Sequence, residues 1–411
     1  MATHRSAAEA QVAELLATAR RSLGLTAAFL ARMDGPDQIL EVVDSSVPFL
    51  FSEGSVQRRE TSLCQAILDG KVPEVVPDLR DHPEGMRLPA ARFPRVRSYV
   101  SVPVRLSDGS LYGTLCAAGL RPEKSLGRRD KALMDVLARA AAVVIEPDVV
   151  ESARRGEIED RLARLLSAGG PAVVLQPIVE LGSGARVGAE ALSRFPADWG
   201  KAPDLCFADA HSVGQGHDLE VIALRGAAEH LTRVTGYVTM NVSPATLLTD
   251  ACRSLLAGLP LGRVVLELSE HDQVEDYSAL LSALAPLRAA GMRLAIDDVG
   301  AGFSSLRHIV LTAPDVLKLD RSIVDGVAAD PVLRTLVKSM VDFGHGCDAR
   351  IVAEGVETAA DAAALLELGV DCGQGWFFGR PGPPEVLDDA VTAVAATGTA
   401  GLSDVAGAAL S

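Results

Sequence analysis

Hydrophobic and polar residues follow two different periods along the first 145 residues of the chain. Helical spacing predicts one helix over 6–23 and a second, long one over 128–145. Strand-like runs occupy 26–33, 38–45, 72–76, 98–106 and 110–118, with a short helix over 61–68. Asp34-Gly35-Pro36 and Ser107-Asp108-Gly109 are turn signals between paired runs, so they predict hairpins. Hairpin-linked strands with helices at both ends indicate an α+β domain with an antiparallel sheet.

Glu146-Pro147-Asp148 predicts the end of the long helix, because proline lacks the amide hydrogen that a helix needs. A second amphipathic stretch follows at 149–166, with Ile158, Leu162, Leu165 and Leu166 on one face. We interpret residues 148–168 as an interdomain helix that could also form a parallel dimer contact. The apolar face therefore indicates a homodimer.

The pattern changes after residue 169. Strand-like runs occupy 172–181, 185–195, 237–243, 264–270, 293–298, 315–320, 350–356 and 371–378. Helical patterns such as 277–290 and 331–343 lie between most of them, and this alternation of strands and helices is typical of a (β/α)8 barrel. Only Gly182-Ser183-Gly184 separates the first two runs, so we expect that pair to be antiparallel. The expected organisation is an α+β domain at 1–147, the helix at 148–168, a modified TIM-like barrel at 169–392 and a tail at 393–411.

Composition narrows the function classes. No run of about 18 uncharged apolar residues occurs, and the N-terminus lacks an apolar signal core, so we expect a cytoplasmic protein that does not engage a membrane. The six cysteines contain no CxxC pair, which indicates neither a disulfide framework nor a cysteine-based zinc site. Residues 1–150 hold 19 basic and 19 acidic residues, whereas 151–411 hold 20 and 35. The acidic barrel would repel a nucleic acid polymer, and a phosphate substrate would need bound metal.

The most informative stretch is Leu294 to Ser305, LAIDDVGAGFSS. A short buried strand ends there in two adjacent carboxylates, Asp297 and Asp298, which repel each other and are costly to desolvate without a cation. A divalent-metal site is one interpretation. An Asp-rich turn in which Gly300 and Gly302 supply unusual dihedrals is the other.

Polar residues also mark the other strands of the predicted barrel. They are Glu190, Asn241, Glu267, Lys318, Glu354 and Gln374. Each has an ordinary explanation by itself, such as a surface strand residue for Glu267 or a helix cap for Asn241. Because strand ends of a barrel converge on one mouth, their shared position favours a single site.

The first domain resembles GAF sensory domains through SLCQAILDGKVPEVVPD at 62–78, RSYVSVPV at 97–104 and DGSLYGTLCA at 108–117. Members of that family bind cyclic nucleotides, haem, bilins or small metabolites, and many serve only for dimerisation. A small-molecule ligand therefore stays open. Gln65 follows Cys64 and Ala117 follows Cys116, unlike the Cys-His pair of bilin attachment, so we expect both cysteines in the core.

Residues 158–390 resemble the EAL-domain cyclic di-GMP phosphodiesterases. The matches, in order, are QPIV (176–179), EALSR (190–194), NVSP (241–244), ELSE (267–270), DDVGAG (297–302), KLD (318–320), EGVE (354–357) and QGWFFGRP (374–381). The resemblance implies metal-dependent cleavage of one phosphodiester bond of cyclic di-GMP to linear pGpG.

The resemblance also implies roles for single residues. The metal ligands, for two Mg²⁺ or Mn²⁺ ions per site, would be Glu190, Asn241, Glu267, Asp297, Asp298 and Glu354. Lys318, Glu354 and Gln374 would be catalytic: Lys318 would touch the nucleophilic water, with Glu354 as general base and Gln374 orienting the water. Gln176, Leu192 and Arg194 would bind substrate, and Glu270 and Glu357 would support the site.

The chain departs from the family pattern at the loop DDVGAG, where active members commonly have DDFGTG. Ser269 replaces a threonine and Ser193 a leucine. No direct metal ligand is missing, so we expect an active enzyme regulated by the GAF domain through the interdomain helix. The alternative is a catalytically silent receptor that binds cyclic di-GMP. No GGDEF-like motif occurs, so synthesis is not expected.

Overall fold

The computed structural model describes residues 6–47, 50–269, 274–300, 305–385 and 387, with the backbone alone at 305–308. The chain divides into two compact units, 1–156 and 157–411. The strands of the first unit are β1 Ala27–Asp34, β2 Asp37–Ser45, β3 Val56–Arg58, β4 Val75–Val76, β5 Ser98–Arg105 and β6 Leu111–Gly119. Its helices are α1 Ala7–Leu23, α2 Leu63–Leu68, α3 Pro83–Arg87, α4 Pro89–Arg92 and α5 Arg128–Ser167, which continues into the second unit.

The first unit is a six-stranded sheet in the order β3-β2-β1-β6-β5-β4, with antiparallel pairing throughout. Successive side chains alternate between its faces: Leu30 packs with α1 and the start of α5, whereas Phe29 packs with α2 and the 72–97 segment. The expected α+β domain with an antiparallel sheet is confirmed. Cys64 and Cys116 are buried, as expected.

The predicted helix end at residue 145 is wrong. α5 runs without interruption through Pro147 for 40 residues. Proline removes one hydrogen bond, to the carbonyl four residues earlier, and that carbonyl belongs to Val143, which is 73% exposed. Water can therefore satisfy the freed carbonyl, so one missing hydrogen bond does not end the helix.

The strands of the second unit are β7 Ala172–Glu180, β8 Arg186–Arg194, β9 Tyr237–Asn241, β10 Val264–Ser269, β11 Arg293–Val299, β12 Val316–Leu319, β13 Arg350–Ala353 and β14 Cys372–Gly373. Its helices are α6 Pro203–Ser212, α7 Gly216–Glu229, α8 Pro244–Leu247, α9 Asp250–Ala257, α10 Tyr277–Ala289, α11 Ser305–Thr312, α12 Arg321–Val324, α13 Pro331–Gly346 and α14 Ala359–Leu368.

These eight strands close into a barrel in chain order, so the predicted (β/α)8 architecture is confirmed. β7 is antiparallel to both neighbours, β8 and β14, and all other pairs are parallel. The single antiparallel strand is therefore also confirmed.

The eighth strand is shorter than the predicted run at 371–378. It stops at Gly373, and the chain then folds over Val356, whose N–H donates to Gln374 O at 3.0 Å. Gly375 adopts φ 155°, and a Cβ there would lie 2.1 Å from Val356 O. This close approach requires glycine and diverts the chain from the barrel wall.

Candidate active site

Two layers of side chains fill the barrel, because alternate residues of each strand point the same way. The lower layer is apolar and takes one residue from each of seven strands: Ile178, Tyr237, Val265, Ala295, Val316, Val352 and Cys372. Two positions towards the carboxyl end of the parallel strands lie Thr239, Glu267, Asp297, Lys318, Glu354 and Gln374. β8 adds Glu190, two residues after the Gly188 that pairs with Tyr237, and the reversed β7 adds Gln176, two before Ile178. The upper layer thus contains most of the polar residues that the sequence singled out; Thr239 was not predicted, and Asn241 lies two residues beyond it on β9.

Lys318 lies at the centre of this layer and is 1% exposed. Its Nζ is 2.6 Å from Glu354 Oε1, 3.0 Å from Glu267 Oε2 and 3.2 Å from Asp297 Oδ1. Glu190 Oε2 is the fourth carboxylate oxygen, at 3.5 Å. One buried cation therefore faces four acidic side chains, so the set carries an excess of negative charge.

The pKa values of these side chains reflect the excess of negative charge. Burial, opposed by Lys318, raises the pKa of Glu354 to about 8 and raises those of Glu267 and Asp297 as well. Glu190 is the exception: burial acts to raise its pKa, yet Lys318 and two amide donors hold it below the usual value. For Lys318, burial acts to lower the pKa, but the four carboxylates hold it well above the usual range. More positive charge, from protons or metal ions, would stabilise this cluster.

Asp297 and Asp298 belong to the same cluster only because β11 is irregular. In a regular strand, adjacent side chains point to opposite faces. Here the register between β11 and β12 shifts between Ile296 and Val299, and Asp298 takes the left-handed φ of 59°. This bulge places one oxygen each of Asp297, Asp298 and Glu354 within 4.8 Å of one another. The Asp298 N–H donates to Asp297 Oδ1 at 3.0 Å, which helps to fix the pair.

Amide side chains hold Glu190 from two sides. Asn241 Nδ2 donates to Glu190 Oε1 at 3.1 Å, and Gln374 Nε2 donates to Glu190 Oε2. Gln374 Nε2 also lies 3.1 Å from Gln176 Oε1, and Gln176 Nε2 donates to Gly379 O at 3.2 Å. The structure thus brings Gln176, Asn241 and Gln374 to the carboxylates.

A cleft of about 260 Å³ opens above the layer. Leu192 and Gln176 line it together with Glu190, Asp297, Glu354 and Gln374. Glu357 also lines it, and its Oε1 is 2.9 Å from Arg321 Nη2. Sequence reasoning missed Arg321 and Trp376 on this wall; Trp376 is 51% exposed and lies under the guanidinium of Arg380 at 4.2 Å. An exposed aromatic residue two positions after Gln374 was a signal that could have been used.

Arg194 is not among the residues that line this cleft. It lines a neighbouring cavity of about 340 Å³ with Asn241, Glu267 and Ser269, and its Nη1 donates to Ser193 O at 2.9 Å. Ser269 Oγ lies 3.4 Å from Asp298 Oδ2, so the hydroxyl of that altered motif still faces the site. Glu270, expected to support the following loop, lies outside the described residues.

The residues fit a pair of hard divalent cations. Glu190, Glu267 and Asp297 form one group of close oxygens, and Asp297, Asp298 and Glu354 form another, with Asp297 common to both. Glu267 Oε1 is buried and accepts no hydrogen bond from the part of the chain that the structure describes. An orphaned carboxylate oxygen beside excess negative charge suits a cation, and an all-oxygen donor set suits magnesium or manganese.

Comparison with known families agrees with this geometry. The EAL domain family model matches residues 159–381, and the GAF domain model matches residues 8–145. None of the helices in the described part of the chain combines the length and apolarity that crossing a bilayer requires.

Curated relatives match between half and two thirds of the chain. An uncharacterised protein of Mycobacterium tuberculosis is 30% identical over 248 residues, 57% of this chain and 40% of its own length. Another from that organism is 28% identical over 66% of this chain and 95% of its own length. The probable cyclic di-GMP phosphodiesterase PdeB of Escherichia coli is 28% identical over 51% of this chain and 42% of its own. The chain thus spans about 40% of the length of the first of these relatives.

Two solved structures cover different shares of the chain. The PaMucR phosphodiesterase in complex with c-di-GMP is 28% identical, covers 56% of this chain and 98% of its own, and has a TM-score of 0.50. The EAL enzyme Bd1971, bound to cAMP and cyclic di-GMP, covers 90% of this chain and 93% of its own with a TM-score of 0.52. Because Bd1971 is only 18% identical to this chain, the similarity shows a shared fold and nothing more.

Proposed function

The chain belongs to the EAL-domain family, with a GAF domain ahead of the barrel, and from that premise we propose that it hydrolyses cyclic di-GMP to linear pGpG. The observation that carries the proposal is the complete set of oxygen donors around Lys318, at the carboxyl ends of the barrel strands. No ligand expected from the family pattern is replaced. The relatives named as phosphodiesterases support the substrate class.

We propose two Mg²⁺ or Mn²⁺ ions per site. Glu190, Asn241, Glu267 and Asp297 would hold one ion, and Asp297, Asp298 and Glu354 the other. When bound, such ions activate water and neutralise charge that develops on the attacked phosphate.

The chain's own residues then position the reaction. Glu354, which lines the cleft, would accept the proton of the attacking water at a carboxylate oxygen. Lys318 keeps its positive charge and holds Glu354 Oε1 at 2.6 Å, and Gln374 orients the water. The water oxygen bonds to phosphorus, the bond from phosphorus to the 3′ oxygen breaks, and that oxygen takes up a proton to leave as a hydroxyl.

Substrate recognition falls to the cleft above the layer. We propose that Gln176 and Leu192 contact the dinucleotide there and that Arg194, from the adjoining cavity, reaches a phosphate with its planar donor fork. Arg321 adds a second guanidinium at the cleft, and Glu357 holds it in place. These contacts give the acidic barrel local positive charge where an anionic substrate would bind.

We further propose that residues 1–147 form a regulatory GAF domain, that 148–168 transmit its state to the catalytic domain at 169–392, and that 393–411 form a tail. The unbroken α5 supports this route, because a single continuous helix begins in the first unit and ends in the second. A cytoplasmic homodimer is part of the same proposal. Deletion of residues 1–147 should change turnover or the oligomeric state, measured by light scattering as the number of chains per particle. Unchanged values of both would contradict the regulatory role.

The deciding experiment is turnover of cyclic di-GMP by the full chain with Mg²⁺, Mn²⁺ or chelator. Glu190→Ala removes a buried ligand, and Asp342→Ala, an exposed acid paired with Lys338, is the matched control. Metal-dependent pGpG that is lost only in Glu190→Ala supports the enzyme. Tight binding of intact cyclic di-GMP without product in either metal would instead establish the receptor, the alternative that the altered DDVGAG loop keeps open.

A further inference from the structure

A second group of metal-ligating side chains lies outside the oxygen-donor layer, on two helices of the barrel domain. His211 is in the last turn of α6, His217 is in the first turn of α7, and Glu220 begins the second turn of α7. His217 and Glu220 are three residues apart on one helix and therefore share a face. Each of the three side chains offers a ligand atom, and these atoms all lie within 4.8 Å of one another.

The two imidazole rings are held in place by their surroundings. The His211 ring lies against Gly216, where a Cβ would come within 2.2 Å of Nδ1, so the ring occupies space that only glycine leaves. His217 Nδ1 lies 2.8 Å from Thr246 Oγ1. A hydrogen bond to one ring nitrogen is the usual way in which a metal-binding histidine is oriented. The rings meet edge to face with centroids 5.3 Å apart.

Glu220 supplies the negative charge of this cluster. It is 8% exposed, and His211 Nε2 lies 2.6 Å from its Oε1. Ligands of a tetrahedral zinc ion stand about 3.4 Å apart, given metal–ligand distances of about 2.0–2.1 Å. His211 and Glu220 would therefore need to separate by only about 0.8 Å to admit an ion between them. Both histidines are exposed at the surface, so an ion can reach the cluster from solvent.

We propose that His211, His217 and Glu220 form a binding site for one transition-metal ion of the zinc class. Two imidazoles and one carboxylate are a donor set that zinc, cobalt and nickel prefer over magnesium. The oxygen-only layer around Lys318 has the opposite preference, so the two sites would take different metals. Three protein ligands leave one position of a tetrahedral ion for water.

The cluster also contacts the segment that carries Asn241. Glu220 Oε2 accepts the Ser243 N–H at 2.8 Å, and Glu220 Oε1 accepts from Ser243 Oγ at 3.0 Å. An ion on Oε1 would compete with Ser243 Oγ, two residues beyond Asn241. Zinc should therefore change phosphodiesterase turnover. This consequence rests on the proposed function, but the binding of zinc at this site is independent of it.

The test uses the full chain, stripped of metal and then kept in excess Mg²⁺ so that the oxygen-donor layer is saturated. Co²⁺ is added as the probe, and its visible absorption and the bound metal per chain are measured. His345→Ala is the matched control, because His345 Nε2 lies 3.0 Å from Asp371 Oδ2 but, among the described residues, no third ligating side chain joins this pair. We expect one equivalent of Co²⁺, displaced by Zn²⁺, in the wild type, in His345→Ala and in Glu190→Ala.

His211→Ala and His217→Ala should each weaken Co²⁺ binding at least about tenfold, since even a group that only supports a metal ligand is worth 10- to 100-fold in affinity. Both residues are exposed, so the variants should fold, which a melting curve verifies. Co²⁺ binding that persists in both variants would overturn the proposal. So would a wild-type signal that disappears in Glu190→Ala, because the ion would then lie in the catalytic layer. Neither result depends on hydrolysis of cyclic di-GMP.

Discussion

Replacement of Lys318 by methionine should destabilise the metal-free barrel much more than replacement of a surface lysine. The Nζ of Lys318 lies within 3.5 Å of oxygens from four buried carboxylates. Loss of one partner from a buried ion pair costs about 3–5 kcal/mol, because the remaining charge is left uncompensated. For a domain of this size, about 1 kcal/mol lowers the melting temperature by roughly 2–4 °C. The expected drop is therefore roughly 6–20 °C.

Divalent metal should reverse most of this loss, since a cation bound to the same carboxylates replaces the missing charge. An ion present at about 100 times its dissociation constant adds about 2.7 kcal/mol per site to the stability of the folded state. The assay is thermal unfolding at pH 8, with chelator or with Mn²⁺. At lower pH, protonation of carboxyl groups with a raised pKa, such as Glu354, would itself relieve the repulsion.

Lys338→Met is the matched control. Lys338 pairs with Asp342 at 2.6 Å, but both side chains are more than half exposed, so we expect a loss of less than about 1 kcal/mol. Equal melting temperatures for metal-free Lys318→Met and wild type would refute the reasoning. A large loss that Mn²⁺ fails to reverse would show that Lys318 acts through packing rather than charge.

Three further predictions concern other features of the chain. Metal-free wild type should lose stability as pH rises. Folding raises the pKa of Glu354 from 4.5 to about 8, so the contribution of this group to folding stability is complete below pH 4.5 and is lost as pH rises through 8. Melting temperatures measured with chelator should fall over this range, and Mn²⁺ should suppress the fall. Val299→Phe restores the common family residue, but Val299 is fully buried, so overpacking should cost about 1–3 kcal/mol; a variant that melts as high as wild type would contradict this. Pro147→Ala should stabilise α5 against urea, by up to about 3 kcal/mol, and an unchanged unfolding midpoint would show that neighbouring contacts already offset the proline.

The local pattern of the sequence was sufficient for the elements and for most of the polar site. Strand periodicity predicted five of the six strands in the first unit, all but the short edge strand β3, and all eight barrel strands, since alternation and turn residues are local properties. The ordered motifs identified Glu190, Glu267, Asp297, Lys318 and Glu354, and the structure brings all five together. The roles proposed for these residues stay predictions.

Long-range packing decided the rest. Proline predicted a helix end, but α5 continues through Pro147, where the freed carbonyl belongs to the exposed Val143 and water can replace the lost hydrogen bond. Adjacent Asp297 and Asp298 act as one group only through a bulge, whose register depends on β12. The His211, His217 and Glu220 cluster arises where two helices meet, and no single stretch of sequence encodes that contact. Sequence specifies the period of each element, whereas the side chains that meet across elements are determined by how the apolar faces pack.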